Sequence, residues 1–397
     1  MIRRDNRNLA MQFIILMGFV SLFGDITYEG ARSITGPYLG VLGASAAMVG
    51  LIAGIGEFLG YALRMLSGFI ADRTRAYWPL TFLGYGLMFS IPLLALTRHW
   101  QLAAVFIILE RVGKAVRSPA RDTILSYATK QVGRGWGFGV HEAMDQIGAV
   151  LGPLVFTAVF ILKGGYKQGF TALWVPAALT IAVLLIAVKK VPLPQKLEEE
   201  QVPAVGEDKN IGKLPPIFWF YTLFTFLCVA GFANFALIGF HFGAKGVVPI
   251  AQIPLFYCLA MAVDGIAALV IGKAYDKIGL KSLILLPLLT LPIPFLAFSQ
   301  NYYFALASVV LWGAAMGIHE TIMRAAIADM THIKKRGFAY GVFNTAYGLA
   351  WFVGSAAMGL LYGVSIAYIC VFVIIMELIS LPVFFMVKKT NDREAIR

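Results

Sequence analysis

Charged side chains are scarce in this chain. Asp, Glu, Lys and Arg make up 14% of its 397 residues, whereas 59% of the residues are hydrophobic. A soluble globular protein carries roughly 25% charged residues. The composition therefore excludes an ordinary soluble domain and predicts a chain solvated mostly by lipid.

Cysteine and the motifs of soluble catalysis are scarce as well. The three cysteines, Cys228, Cys258 and Cys370, each lie in an apolar run and show no metal-ligand spacing, so neither a disulfide framework nor a cysteine metal site is expected. The chain has no phosphate-binding glycine loop with a lysine, no His-Glu-x-x-His pair and no nucleophile elbow. We therefore expect no enzymatic activity, no cofactor and no resident metal, and a gradient would have to drive any uphill transport.

Twelve apolar segments are long enough to span a bilayer. They cover approximately residues 10–38, 47–71, 78–96, 101–128, 137–162, 169–188, 215–242, 250–275, 281–298, 303–330, 337–362 and 365–387. The one long polar stretch, 189–213, separates the sixth span from the seventh and reads as a flexible linker. The predicted fold is an all-α membrane protein with two pseudo-symmetric six-helix bundles, 1–188 and 215–397, joined by a cytoplasmic linker at 189–214.

The second half repeats the first. Arg134-Gly-Trp-Gly-Phe-Gly-Val140 returns as Arg336-Gly-Phe-Ala-Tyr-Gly-Val342, 202 residues later. Gly68-Phe-Ile-Ala-Asp-Arg73 returns as Gly272-Lys-Ala-Tyr-Asp-Lys277, 204 residues later. Two patches at nearly one offset indicate a duplication, and duplicated halves in a membrane protein are typical of secondary transporters with a site between the halves.

Basic residues predict the orientation of the chain. Placing both termini and the linker on one side gives that side 21 of the 33 Lys and Arg residues and the other side four, with eight inside the spans. We therefore expect a multi-pass protein of the prokaryotic inner membrane with cytoplasmic termini. The net charge of +12 is then a topology signal, so no nucleic-acid partner is expected. A monomer in the lipid bilayer is predicted.

Three short motifs stand out. The end of the second span and the loop after it carry Gly68, Asp72 and Arg73, and the repeat carries Gly272, Asp276 and Lys277. This pattern resembles the loop signature of the major facilitator superfamily. The fourth span contains Arg111, and the fifth contains Gly148, Gly152 and Pro153 in the glycine–proline pattern associated with antiporters. The segment from Glu110 to Arg117 is also similar to a subgroup of prokaryotic permeases whose substrate the resemblance does not supply.

The resemblance implies the fold and several roles. It implies a cytoplasmic gate latched by Asp72, Arg73, Asp276 and Lys277. It also implies transport by alternating access. The glycine–proline pattern slightly favours export by an antiporter, although close helix packing explains the same residues equally well.

Ionisable side chains inside spans cost roughly 2.5–3.5 kcal/mol each, so each is a candidate for function. The fourth span places Glu110, Lys114, Arg117 and Arg121 within about 60° of one another on one helical face. The coupling proton is expected on one of four candidate carboxylates, because burial raises the pKa of a carboxyl group and a neighbouring base lowers it. These carboxylates are Asp25, Glu29, Glu142 and Asp145.

A further set of polar and charged residues is expected to bind substrate from within the spans. These residues are Tyr28, Arg32, Arg111, Lys114, Arg117, Asn234, His241, Glu320, Arg324, Asn344 and Tyr347. Structural ion pairs and packed, satisfied side chains would account for several of them equally well.

The sequence predicts a proton-coupled transporter of a small anionic or zwitterionic organic solute. One alternative is a transporter of a metal ion or metal chelate that uses Asp25, Glu142, Asp145 and His241, although hard metal sites seldom lie beside four bases. Another is a non-transporting receptor on the same scaffold, which predicts a degraded gate motif in both halves. The second copy of that motif is intact.

Overall fold

A computed structural model of the protein describes residues 2–197, 214–331 and 336–394, and all regular structure in these ranges is helical. The side chains at 2–6, 134–135, 196, 323–325, 328, 336–337 and 391–394 lie outside the described part, as does most of the predicted linker.

The helices of the first half follow the predicted spans, with breaks at several of them. They are α1 (Ile2–Arg32), α2 (Thr35–Val41), α3 (Ala46–Thr74), α4 (Tyr77–Leu87), α5 (Ser90–Leu93), α6 (Trp100–Val132), α7 (Arg134–Ile161), α8 (Tyr166–Ala172) and α9 (Trp174–Lys190). Short 3₁₀ turns occupy Leu94–Leu96 and Pro194–Leu197.

The second half is built in the same way. Its helices are α10 (Pro216–Gly231), α11 (Phe235–Ala244), α12 (Ile253–Ile278), α13 (Leu285–Thr290), α14 (Ile293–Ala297), α15 (Tyr302–Met330), α16 (Arg336–Val364) and α17 (Ile366–Glu394). The 3₁₀ turns here are Ile250–Gln252 and Gly279–Ile284.

Ten helical stretches of the described chain are long and apolar enough to cross a membrane. One of them, Ile250–Ala297, has 48 residues and contains both the eighth and the ninth predicted spans. The fourth predicted span, α6, has 33 residues but too many charges to qualify on composition. Ten stretches become twelve spans when Ile250–Ala297 is counted as two spans and α6 is added, and twelve is the number that the sequence predicts.

The described chain packs into two compact units. The first contains Met1–Ala31 and Leu63–Asn210, and the second contains Arg32–Ala62 and Ile211–Arg397. The units group residues by packing, so part of the first sequence repeat belongs to the second unit. The predicted domain boundaries at 188 and 215 follow the repeat and stay a prediction.

Glycines let residues 32–62 pack closely on the rest of the second unit. A Cβ atom on Gly36, in α2, would lie 1.8 Å from the carbonyl oxygen of Ala236 in α11. A Cβ on Gly50, in α3, would lie 2.3 Å from the carbonyl oxygen of Ser355 in α16. Backbone-to-backbone packing of this kind is how membrane helices associate without a hydrophobic driving force.

The seventh span is interrupted partway along its length. Helix α10 ends at Gly231 and α11 begins at Phe235. The Asn234 side chain accepts a hydrogen bond from the Ala236 amide (2.9 Å) and caps α11. The indole N–H of the fully buried Trp312 donates to the Ala233 carbonyl at 2.9 Å. Trp312 thus satisfies a backbone group that the break would otherwise leave exposed to an apolar interior.

Trp312→Phe should destabilise the protein by about 1–3 kcal/mol, because the Ala233 carbonyl would be left buried without a donor. The expected result is a lower melting temperature in detergent. Trp219→Phe is the matched control, since Trp219 is 52% exposed. Equal melting temperatures for the two variants would show that the indole does not brace the break.

Candidate functional site

Three helices of the first unit bring the predicted charged residues together. Close approach of α7 to α1 depends on two glycines of α7. A Cβ on Gly148 would lie 2.5 Å from the Leu22 carbonyl oxygen, and a Cβ on Gly152 would lie 2.6 Å from the Gly30 nitrogen. The packing role of the glycine–proline pattern is therefore directly visible, and it places the carboxylate of Asp145 beside α1.

Tyr28 joins α1 to α6. Its side chain is 2% exposed, and its hydroxyl accepts a hydrogen bond from the guanidinium of Arg111. The ammonium of Lys114 lies 4.0 Å from the centroid of the same ring, within cation–π distance. One aromatic ring thus positions two of the predicted substrate-binding bases.

Glu110 and Arg117 form a sealed ion pair along α6. Their side chains are 1% and 3% exposed, and a guanidinium nitrogen of Arg117 lies 3.3 Å from the Glu110 carboxylate. Arg117 also donates to the Gly84 carbonyl at 3.4 Å, and its guanidinium carbon lies 4.9 Å from the Tyr85 ring centroid. Contacts within the protein hold Arg117 on several sides. A role in stabilising the fold therefore fits Arg117 better than the predicted role in binding substrate.

A second polar network joins the same three helices. Arg121 donates to the Ser21 hydroxyl at 3.0 Å, and that hydroxyl lies 2.9 Å from Nε2 of His141. Arg121 also pairs with Asp122 at 3.0 Å. His141 is 3% exposed, so this network is buried on its α7 side.

The same three helices also carry the half-buried residues Asp25, Lys114 and Asp145. The carboxylate of Asp25 interacts electrostatically with Lys114 and also with Asp145 and Glu29. One carboxyl oxygen of Asp145 is buried and has no hydrogen-bond partner among the described residues. Lys114 is therefore shared by more than one carboxylate, unlike the sealed base Arg117.

Other predicted site residues lie elsewhere. Arg32 belongs to the second unit, where it pairs with Glu57 at 3.0 Å. Glu142 and Glu320 are exposed, and Asn344 is half-buried. The side chain of Arg324 lies outside the described part.

Three further predicted residues of the second unit have structural contacts. Asn234 caps α11, as described above. His241 is fully buried, with Nδ1 2.8 Å from the Tyr362 hydroxyl and Nε2 3.3 Å from the Ser299 carbonyl. Tyr347 packs edge-on against Tyr61, with ring centroids 4.7 Å apart. These contacts brace helices and do not gather the residues into one charged cluster.

The repeat replaces the buried ion pair with aromatic packing. At the 202-residue offset, Glu110 and Arg117 correspond to Trp312 and His319. His319 is fully buried, and its ring lies 5.2 Å from that of Phe232, which in turn stacks on Trp312 at 5.4 Å. The repeat-related positions are therefore filled by an ion pair in the first unit and by packed aromatic rings in the second.

The four predicted gate residues are all exposed. Within the described chain, none of them makes an ion pair or a side-chain hydrogen bond. They are Asp72, Arg73, Asp276 and Lys277.

The site contains several residues that the sequence did not single out as functional candidates. His141 lies four residues before Asp145, on the same helical face, and that spacing was the available signal. Glu57 lies inside the second predicted span, so its charge was the available signal. Ser21 and Tyr85 gave no comparable signal, because their partners are distant in sequence. No group of three His, Cys, Asp or Glu side chains in the described ranges could hold a metal ion, which gives the metal-transport alternative no support there.

Comparisons with known proteins agree with this architecture. The family described as Major Facilitator Superfamily matches residues 10–263 and 249–396. An uncharacterized protein of Mycobacterium tuberculosis is 40% identical over 384 residues, covering 96% of this chain and 93% of that protein. An uncharacterized MFS-type transporter of Methanocaldococcus jannaschii is 28% identical over 376 residues, covering 91% of each chain.

A solved structure shares the fold. A POT family transporter in complex with a thioalcohol conjugated peptide superposes with a TM-score of 0.75 at 13% identity, covering 96% of each chain. The predicted resemblance and the all-α membrane fold are thereby confirmed.

Arg117→Ala should cost about 3–5 kcal/mol of stability, because it leaves Glu110 buried without its counter-charge. The double variant Glu110→Leu/Arg117→Leu should recover most of that loss, since it removes both charges together. Melting temperatures of the single and double variants in detergent measure this coupling. If the double variant is as unstable as the sum of Arg117→Ala and Glu110→Leu, the ion pair is not the structural unit described here.

Proposed function

This chain belongs to the major facilitator superfamily, and we propose that it is a proton-coupled secondary transporter. It moves a small anionic or zwitterionic organic solute across the prokaryotic inner membrane by alternating access. The fold and family make it a multi-pass membrane transporter. The observation that carries the rest of the proposal is the contact of the Lys114 ammonium with the ring of Tyr28, where its charge also interacts with the Asp25 carboxylate.

Lys114 supports an anionic or partly anionic substrate. Its ammonium can still donate hydrogen bonds to a substrate. The Tyr28 ring offers it no hydrogen-bond acceptor, and the Asp25 carboxylate interacts with other charges as well. A substrate carboxylate or phosphate would gain a charge-assisted hydrogen bond from it. Arg111, whose guanidinium also lies over the Tyr28 ring, would supply a second donor.

Asp25 supports proton coupling. When Asp25 takes up a proton, it loses its hold on Lys114, and the base becomes free for a substrate anion. When Asp25 is ionised, its carboxylate can instead accept the ammonium of a zwitterionic substrate. The proton and that ammonium then compete for one carboxylate, which is the condition for exchange of solute against protons.

This competition favours export of a zwitterion in exchange for protons. The proton gradient across an inner membrane would drive protons inward and the solute outward. A purely anionic solute would bind together with the proton and move in the same direction. Liposome transport under an imposed pH gradient distinguishes the two modes.

Orientation and localisation are proposed on the basic residues. The side with 21 Lys and Arg residues is the cytoplasmic one, and it contains both termini. The gate motif at Asp72 and Asp276 would then close the cytoplasmic end. The chain is proposed to act as a monomer.

Asp25→Asn and Asp145→Asn should abolish accumulation driven by a pH gradient while leaving solute exchange at equal pH largely intact. The reason is that an amide imitates the protonated carboxyl but cannot release a proton. The measurement uses proteoliposomes and a solute selected from a thermal-shift screen of small metabolites. Asp122→Asn is the control, since Asp122 is exposed and faces the same network. Full gradient-driven accumulation in both test variants would show that neither Asp25 nor Asp145 binds the coupling proton.

Asp72→Asn and Asp276→Asn should raise the labelling of cysteines introduced in the cytoplasmic half of the spans. Both carboxylates are exposed here, so their stabilising contacts are expected in the other state of the cycle. The assay uses a background in which Cys228, Cys258 and Cys370 are replaced by serine. Arg75→Gln, which removes another exposed charge just after the end of α3, is the control. Unchanged labelling in both aspartate variants would show that these residues only terminate helices and do not stabilise a closed gate.

A further inference from the structure

We propose that Glu377 is a second proton-binding carboxyl group, placed at the break of the seventh span and reached by protons through buried hydroxyl and thiol groups of α10. The inference rests on the proposed function only in assigning this proton to transport. Binding of the proton itself can be measured without any solute.

Glu377 lies in the middle of α17 and is 2% exposed. Neither carboxyl oxygen has a hydrogen-bond partner among the described residues. An ionised carboxylate in such a place is costly unless a base pairs with it. The neutral acid is therefore the form that this environment accommodates.

Among the described residues, the neighbours of α17 supply no base to Glu377. Helices α13 and α14 contain no ionisable side chain. The thiol of Cys228 in α10 is near enough to act on the carboxyl group, although no hydrogen bond of ordinary geometry joins the two. The other titratable or charged side chains described on the elements packed against it or on its own helix make no ion pair or hydrogen bond with it; they are Tyr221, Lys281, Tyr340, Tyr347, Tyr362, Tyr368, Cys370, Lys388 and Lys389.

The carboxyl group abuts the end of α10. A Cβ atom on Gly231, the last residue of that helix, would lie 2.6 Å from Oε1 of Glu377. The C-terminus of a helix carries a partial negative charge and carbonyl groups without intrahelical donors. A protonated Glu377 can donate to such a carbonyl, whereas an ionised one is repelled by it. The proton therefore controls how closely α17 approaches the point where the seventh span is interrupted.

Buried polar groups form a line along α10 towards Glu377. Tyr221, Thr225 and Cys228 recur at intervals of four and three residues and share one helical face. All three are at most 1% exposed. The hydroxyls of Tyr221 and Thr225 have no hydrogen-bond partner in the described chain, and groups of this kind are where buried waters bind.

We take the outer end of the route to be an exposed carboxylate. The hydroxyl of Tyr275 in α12 donates to Oδ2 of Asp329 at 2.8 Å, and the proposal continues the line from Tyr221 through Tyr275. Asp329 is exposed near the end of α15. A proton entering there can pass from group to group, with each hydroxyl or water accepting one proton and releasing its own. The last transfer breaks the S–H bond of Cys228 or an O–H bond of a bound water as it forms the O–H bond of Glu377, and the preceding step of the relay returns a proton to that donor.

The test is infrared spectroscopy of the substrate-free, full-length protein in lipid nanodiscs, with the proton as the only ligand. Wild type should show a carboxylic-acid C=O band that shifts on transfer to D₂O and disappears at high pH, and Glu377→Gln should lack it. Thr225→Val should keep the band but slow its H/D exchange about tenfold, since a relay step loses one hydrogen bond. Thr157→Val, which removes a buried hydroxyl of the first unit, is the control and should exchange at the wild-type rate.

Three outcomes would overturn the inference. They are an unchanged spectrum in Glu377→Gln, a Glu377 band that neither exchanges nor titrates, and equal exchange rates for the two threonine variants. If Glu377→Gln does not fold, Glu377→Asp should still shift the band.

Liposome transport separates this inference from the proposed function. If Glu377→Gln keeps gradient-driven accumulation that Asp25→Asn loses, only the role of Glu377 in transport is wrong. If wild type shows no gradient-driven accumulation although the Glu377 band titrates, the proposed coupling is wrong and the proton site remains.

Discussion

The free-energy cost of an unpaired charge in the membrane interior governs how the ionisable side chains of this protein are arranged. In the first unit, Glu110 meets that cost by pairing with Arg117 at 3.3 Å while both are almost fully buried. In the second unit, the repeat-related positions hold Trp312 and His319, whose aromatic rings meet no such cost. One duplicated scaffold thus supports a charged core in one half and an aromatic core in the other.

The same cost distinguishes the charges that stabilise the fold from the charges that are available to bind a substrate or a proton. Arg117 has a carboxylate, a carbonyl and an aromatic ring around it, so any displacement leaves Glu110 buried and alone. Lys114 faces an aromatic ring and carboxylates that other charges also hold. A base shared in this way can change partners at little cost, and protonation of Asp25 is an event that would make it do so.

Close backbone contacts make these charge networks possible. Without a hydrophobic driving force between helices in lipid, packing and hydrogen bonds must hold them together. Gly152 lets α7 reach Gly30 of α1, and Gly84 lets α4 approach α6. The break between α10 and α11 follows the same constraint, because Asn234 and Trp312 satisfy backbone groups that the interrupted helix releases.

The sequence alone determined the helical membrane fold, the twelve spans, the duplication and the family, because apolar length, repeat offset and loop motifs are local properties of the chain. It also placed Asp25, Lys114 and Asp145 among the candidates, since charge inside a span is itself a signal. Tertiary structure decided which charges share a partner. It paired Arg32 with Glu57 and enclosed His241, because counter-charges and hydrogen-bond acceptors come from helices distant in sequence.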